Sequence, residues 1–152
     1  MTNIQNLLDR QPFVKSLMVQ IGEIASKQKK KAYAVGGAIR DVFIGMELKE
    51  IDIMVIGDGI EFAKVVAKQM GVPKIVPFHR FSTAHIPSRP IPIEIAAARK
   101  ETYSKDSRKP NKVTYTNLEG DLLRRDFTVN AMAVDLLPDN FGILYDLSLI
   151  HI

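Results

Sequence analysis

This sequence predicts an α+β domain, on three observations. Apolar residues switch between helical and strand spacing, the apolar strands are short and punctuated by proline and glycine, and strands do not alternate with helices regularly enough for a doubly wound fold. At 152 residues the chain suits one domain that buries roughly 70% of its unfolded surface. A hydrophobic share of 46% and a charged share of 25% are ordinary for a soluble globular protein. No apolar run approaches the ~20 residues of a membrane helix, and the start MTNIQNLLDR lacks a signal-peptide pattern. The absence of cysteine excludes disulfides and thiolate zinc sites. A cytoplasmic protein with no membrane partner is the expectation.

The elements follow in order. Residues Ile4 to Gln28 carry helical spacing (Leu7, Leu8, Val14, Leu17, Met18, Ile21, Ile24, Ala25), with Pro12 breaking or starting the main helix and Lys29 to Lys31 ending it. Ala32 to Val35 reads as a short strand, Gly36-Gly37 as a turn, and Ala38 to Ile44 as a helix closed by Gly45. Ile51 to Ile56 is a buried strand stopped by Gly57-Asp58-Gly59, and Ile60 to Met70 an amphipathic helix ending at Gly71. Lys74 to Val76, Phe81 to Ile86 and Ile91 to Ile95 are further strands, and Arg99 to Asn117 a loop. Asn117 caps a helix over Leu118 to Leu123, Asp126 or Thr128 opens another, and Val134 to Leu136 with Ile143 to Tyr145 close a hairpin.

Chemistry concentrates in a few places. Gly36-Gly37 lies between strand and helix, where backbone N–H groups can approach phosphate oxygens; Arg40, one turn on, adds a charge-assisted contact. The same glycines also suit a plain tight turn. Glu50 and Asp52 alternate at the start of a strand, so both face one side about 6.6–6.8 Å apart. Two carboxylates so placed suit Mg²⁺, a hard cation that takes oxygen ligands. Asp52 interrupts an otherwise apolar strand, and a buried carboxylate calls for a metal or basic partner. Glu94, in Ile93-Glu94-Ile95, either completes such a site, acts as base toward a hydroxyl, or is an edge-strand charge. From Arg99 to Lys112, six basic residues face two acids, which accounts for the whole net charge of +4. Such a run suits RNA or triphosphate phosphates, or equally a solvated loop. His79 and His85 lack ligand spacing and read as packing or surface residues.

Taken together and in register, VGGAIRD with its acid-x-Asp strand, FSTA at Phe81 to Ala84, IEIAAAR at Ile93 to Arg99, SRKP at Ser107 to Pro110, and RRDFTVNAMA at Arg124 to Ala133 carry a resemblance. The chain resembles the class II tRNA nucleotidyltransferase and bacterial poly(A) polymerase family over roughly Tyr33 to Asp146. That resemblance implies a polymerase-β-like head, a small mixed sheet flanked by helices, working with two Mg²⁺ ions. It implies ATP and CTP as nucleotides and the tRNA 3′ end as acceptor. By the same resemblance Gly36, Gly37 and Arg40 grip phosphates, and Glu50 and Asp52 bind metal; Glu94 joins the candidate catalytic residues on its strand context alone. Arg124, Arg125, Asp126 and Asn130 contact phosphate and ribose. Poly(A) addition, or nucleotide and RNA binding without catalysis, are the alternatives. Two departures stand out. The family usually carries Asp where this chain has Glu50, and the neck that reads the base and the parts that hold tRNA lie beyond this head.

The expected domain is therefore residues 1–146. Leu147 to Ile152 reads as a foreign tail, because CTGTCTCTTATACACATC, which resembles a transposase sequencing adapter, encodes it.

Overall fold

The computed structural model describes residues 2–103, 110–123 and 131–146. Its centre is a seven-stranded sheet of order β3-β4-β5-β2-β1-β8-β9. The strands are β1 (Ala32–Val35), β2 (Ile51–Val55), β3 (Val76–Phe78), β4 (Thr83–Ile86), β5 (Ile93–Ala97), β8 (Met132–Asp135) and β9 (Leu144–Asp146). Only β2 and β5 run parallel; the other neighbours are antiparallel, which makes the sheet mixed and the fold α+β as expected.

Helices α1 (Gln5–Leu8), α2 (Pro12–Lys27), α3 (Gly37–Phe43) and α4 (Gly59–Met70) pack on one face. Strand alternation explains which residues meet them. Ala32 and Ala34, Ile51, Ile53 and Val55, and Ile93 and Ile95 all point into this main core, beside Met18, Ile21, Phe62 and Val66 of the helices. The intervening residues turn to the opposite face, where Tyr33, Val35, Met54 and Ala133 form a smaller cluster with Leu122 of α5 (Leu118–Leu123).

Local chemistry sets the helix limits. Pro12 stands in the first turn of α2, where its missing N–H costs nothing. Asp58 caps α4, its carboxylate accepting from the Ile60 N–H at 3.0 Å and the Glu61 N–H at 3.1 Å. Gly71 ends that helix at φ 73°, a left-handed conformation that suits glycine. Asn117 accepts the Gly120 N–H at 2.9 Å at the start of α5.

Several sequence expectations need correction. The strand placed over Lys74 to Val76 lies instead at Val76–Phe78. The one begun at Phe81 starts at Thr83, because His79–Phe81 forms a 3₁₀ turn, and the one begun at Ile91 starts at Ile93 and runs to Ala97. The largest change concerns Arg99 to Asn117. Rather than loop, it contributes an antiparallel pair, β6 (Arg99–Tyr103) with β7 (Pro110–Tyr115). Ladder hydrogen bonds join backbones whatever the side chains carry, so charge-dense composition concealed it. The helix expected from Asp126 or Thr128, and the tail from Leu147, lie outside the described residues.

Candidate active site

Two stretches of chain meet at one end of the sheet. β1 and β2 are antiparallel with Ala34 opposite Ile53, so the end of β1 and the Gly36-Gly37 turn lie beside the start of β2, where the acids are. Gly36 has φ 74° and ψ −145°, a conformation closed to side-chain-bearing residues, and this reversal turns the chain from strand into α3. A Cβ on Gly37 would lie 3.2 Å from a terminal nitrogen of Arg40, so the guanidinium lies back over the turn. There it pairs with Asp41, both its Nε and a terminal nitrogen standing 3.2 Å from Oδ1. Arg40 is substantially exposed, which leaves this pair open to exchange with a solvent-borne anion.

The carboxylates converge more tightly than alternation alone requires. Asp52 on β2 is in parallel register with Glu94 on β5, which sets their side chains on the same face of adjacent strands. Glu50 arrives from the loop before β2. Each of Glu50, Asp52 and Glu94 offers an oxygen, and these oxygens lie within 4.8 Å of one another. Glu50 is exposed; Asp52 and Glu94 are half-buried. Burial raises the pKa of Glu94, a hydrogen bond with the Glu50 carboxyl and the charge on Glu50 raise it further, and His85 opposes the rise. Anionic oxygens crowded together at a partly desolvated position, all of them hard donors, fit a divalent cation of the Mg²⁺ type. The extra methylene of Glu50, relative to aspartate, does not keep it from reaching the cluster.

Of the residues singled out from sequence, the fold therefore brings together Glu50, Asp52 and Glu94, and sets Gly36, Gly37 and Arg40 at the same sheet end. Arg124, Arg125, Asp126 and Asn130 lie outside the described residues. His85 was passed over in sequence. It stands on β4 directly opposite Glu94, on the face that carries the acids. The signal was its alternation with the inward-facing Ala84 and Ile86, but its neighbour on the next strand is not legible from spacing.

Residues 32–148 match the poly A polymerase head domain. The chain belongs to this family. Among relatives of the poly A polymerase head-domain family, the A-adding tRNA nucleotidyltransferase of Aquifex aeolicus is 43% identical over 116 residues, 76% of this chain and 14% of that enzyme. The structure of a CCA-adding enzyme in an apo form superposes with a TM-score of 0.85 at 34% identity, covering 95% of this chain and 34% of that one. A Thermotoga maritima CCA-adding enzyme in complex with tRNA superposes with a TM-score of 0.77 at 32% identity, covering 95% and 32%. The chain thus spans about a third or less of the length of these relatives. The family resemblance and the polymerase-β-like head read from sequence are both borne out.

Proposed function

We propose that this chain is the catalytic head of a metal-dependent nucleotidyltransferase that adds CMP or AMP to the 3′ end of tRNA. The observation that carries the reading is the convergence of Glu50, Asp52 and Glu94 beside the Gly36-Gly37 turn. Family membership and relatives that add A or CCA to tRNA support the choice of reaction and acceptor.

In this reading Glu50 and Asp52 hold Mg²⁺, with Glu94 at the edge of the same cluster. Two such ions, when bound, would sharpen the attacking 3′-hydroxyl and steady the pyrophosphate that leaves. The chain's own groups do the rest. Gly36 and Gly37 bring backbone N–H groups to the triphosphate without side chains in the way. Arg40 exchanges its Asp41 partner for a phosphate oxygen. Glu94, beside the two metal ligands, takes the hydroxyl proton on a carboxylate oxygen. Arg124 and Arg125 neutralise phosphate, while Asp126 and Asn130 hold the ribose. Positioning and electrostatics supply most of the rate in phosphoryl transfer, which suits so small a set of groups.

Base choice in this reading lies outside the head, so the head takes ATP and CTP without strong preference. Addition of A alone is a second form of the same activity, favoured by the 43% identity to an A-adding enzyme. The proposed domain is residues 1–146, with Leu147 to Ile152 a processing scar; sequencing the source gene across the Asp146 codon tests this, and an intact genomic continuation through Ile152 to a natural stop refutes it. A cytoplasmic location goes with the proposed substrates.

Calorimetric titration with Mg²⁺ and each of ATP, CTP, GTP and UTP, beside Asp52→Ala, tests the site. Metal-dependent binding of comparable strength for all four, weakened in the variant, is the expected result. A folded chain that binds none of them overturns the reading.

A further inference from the structure

The loop from Gly45 to Glu50 joins the helix that carries Arg40 to the strand that carries Asp52, so its course decides where the Glu50 carboxylate arrives. Backbone bonds hold its two ends: the Met46 N–H donates to the Asp41 carbonyl at 2.9 Å, and the Ile51 N–H to the Pro92 carbonyl at 3.1 Å. Between these ends a distant side chain intervenes. The Gln11 amide nitrogen donates to the Met46 carbonyl at 3.1 Å, and the Gln11 amide oxygen accepts the Leu48 N–H at 3.1 Å. One primary amide thus supplies both a donor and an acceptor to the tripeptide Met46-Glu47-Leu48.

Gln11 is itself well anchored. Its N–H donates to the Leu8 carbonyl and its carbonyl accepts the Lys15 N–H, both at 2.9 Å, at the junction of α1 and α2. The side chain of Leu48 is 3% exposed and belongs to the main core, so the loop is pinned from inside as well. Glu50 emerges two residues beyond this clamp. Gln11 falls outside the stretch 32–148 that matches the family.

We infer that Gln11 is a positioning residue for the metal site: its amide clamps the loop before β2 so that Glu50 meets Asp52 and Glu94. The inference rests on the reading of Glu50 and Asp52 as metal ligands. Released from the clamp, Glu50 samples positions away from the cluster, and metal affinity falls although no ligand is altered.

The test uses the whole 152-residue chain and Mn²⁺ alone, followed by electron paramagnetic resonance, with parent, Gln11→Met and Asp52→Ala compared. Methionine keeps the length and bulk of the side chain and removes both hydrogen bonds. The expected result is a Mn²⁺ dissociation constant raised about fivefold to tenfold in Gln11→Met, the scale of one or two lost hydrogen bonds. Faster hydrogen exchange at the Leu48 amide should accompany it. Parent-like Mn²⁺ affinity in Gln11→Met, with affinity lost in Asp52→Ala, overturns the inference. So does a loss in Gln11→Met that the unfolded fraction alone accounts for. Equal binding by the parent and Asp52→Ala instead overturns the metal-ligand reading, and the inference falls with it. Should Gln11→Met fail to fold, Gln11→Glu carries the test, since it retains an acceptor for the Leu48 N–H. It should bind Mn²⁺ more weakly than the parent, and unchanged affinity overturns the inference.

Discussion

Asp135 is a carboxylate inside the fold, 3% exposed, its Oδ1 accepting the Leu137 N–H at 3.0 Å. Burial raises its pKa, while the Leu137 bond and the charge of Lys31 work against the rise. The native state therefore holds the Asp135 proton more tightly than the unfolded chain does. Its contribution favours folding at low pH and is lost as pH rises from the ordinary aspartate range through the raised folded value. Asp135→Asn keeps an acceptor for Leu137 and removes the charge. Urea titrations across pH should find the variant at least as stable as the parent at pH 7, with its advantage shrinking toward about pH 4. Tyr33, opposite Asp135 in the sheet, has its phenol pushed up to about 12 by burial, then by the charges of Asp135 and Tyr145. Ser82 shows a second kind of tension. It sits at φ 50° with its hydroxyl accepting the Gly59 N–H at 3.0 Å and donating to Asp58 at 3.3 Å. Ser82→Ala keeps the left-handed backbone and loses the hydroxyl, so a loss of about 1–2 kcal/mol is expected in chemical denaturation. Ser82→Gly should be milder than Ser82→Ala by about 1 kcal/mol, because glycine adopts that backbone freely.

Among the elements, α2 and the end of β8 approach most closely at Gly22. A Cβ there would stand 1.7 Å from the Leu136 carbonyl oxygen, and Leu136 is itself tied to β1 through its N–H to the Ala32 carbonyl at 3.1 Å. Neither partner can give way without disturbing the sheet. Gly22→Ala should therefore cost about 3 kcal/mol despite alanine's better helix propensity, and a shift of the denaturation midpoint would measure it. An unchanged midpoint would mean that α2 slides along the sheet. Nothing in the sequence marks Gly22, since it reads as one more position in a helical pattern. By contrast the end of α4 was legible: Gly71 was read as its stop and takes the left-handed conformation there, because capping is a matter of residues adjacent in sequence. The β6–β7 ladder was not legible, because a hairpin in charged sequence leaves no apolar alternation to read.

For the molecule as a whole, the proposed metal site couples cation binding to stability. A cation that binds only the folded chain stabilises it by mass action, about 2.7 kcal/mol at a concentration 100 times its dissociation constant. Thermal unfolding should rise with Mg²⁺, return to its starting point on chelation, and show little response in Asp52→Ala. An equal response in the variant would place the bound ion elsewhere. What the sequence determined by itself was local: the helices of apolar period, the caps at Gly71 and Asn117, the Gly36-Gly37 turn, and the apolar strand that carries Asp52. Each depends on the geometry of a few consecutive residues, and so does the motif order that marks the family. Which strands lie together was decided only by tertiary structure. The parallel pairing of β2 with β5 brings Glu94 to Asp52, the antiparallel pairing of β4 with β5 brings His85 to Glu94, and the docking of α2's start on the loop before β2 brings Gln11 to Leu48. Those contacts join residues 42, 9 and 37 positions apart, and they are set by burying one shared core, a quantity no local spacing encodes.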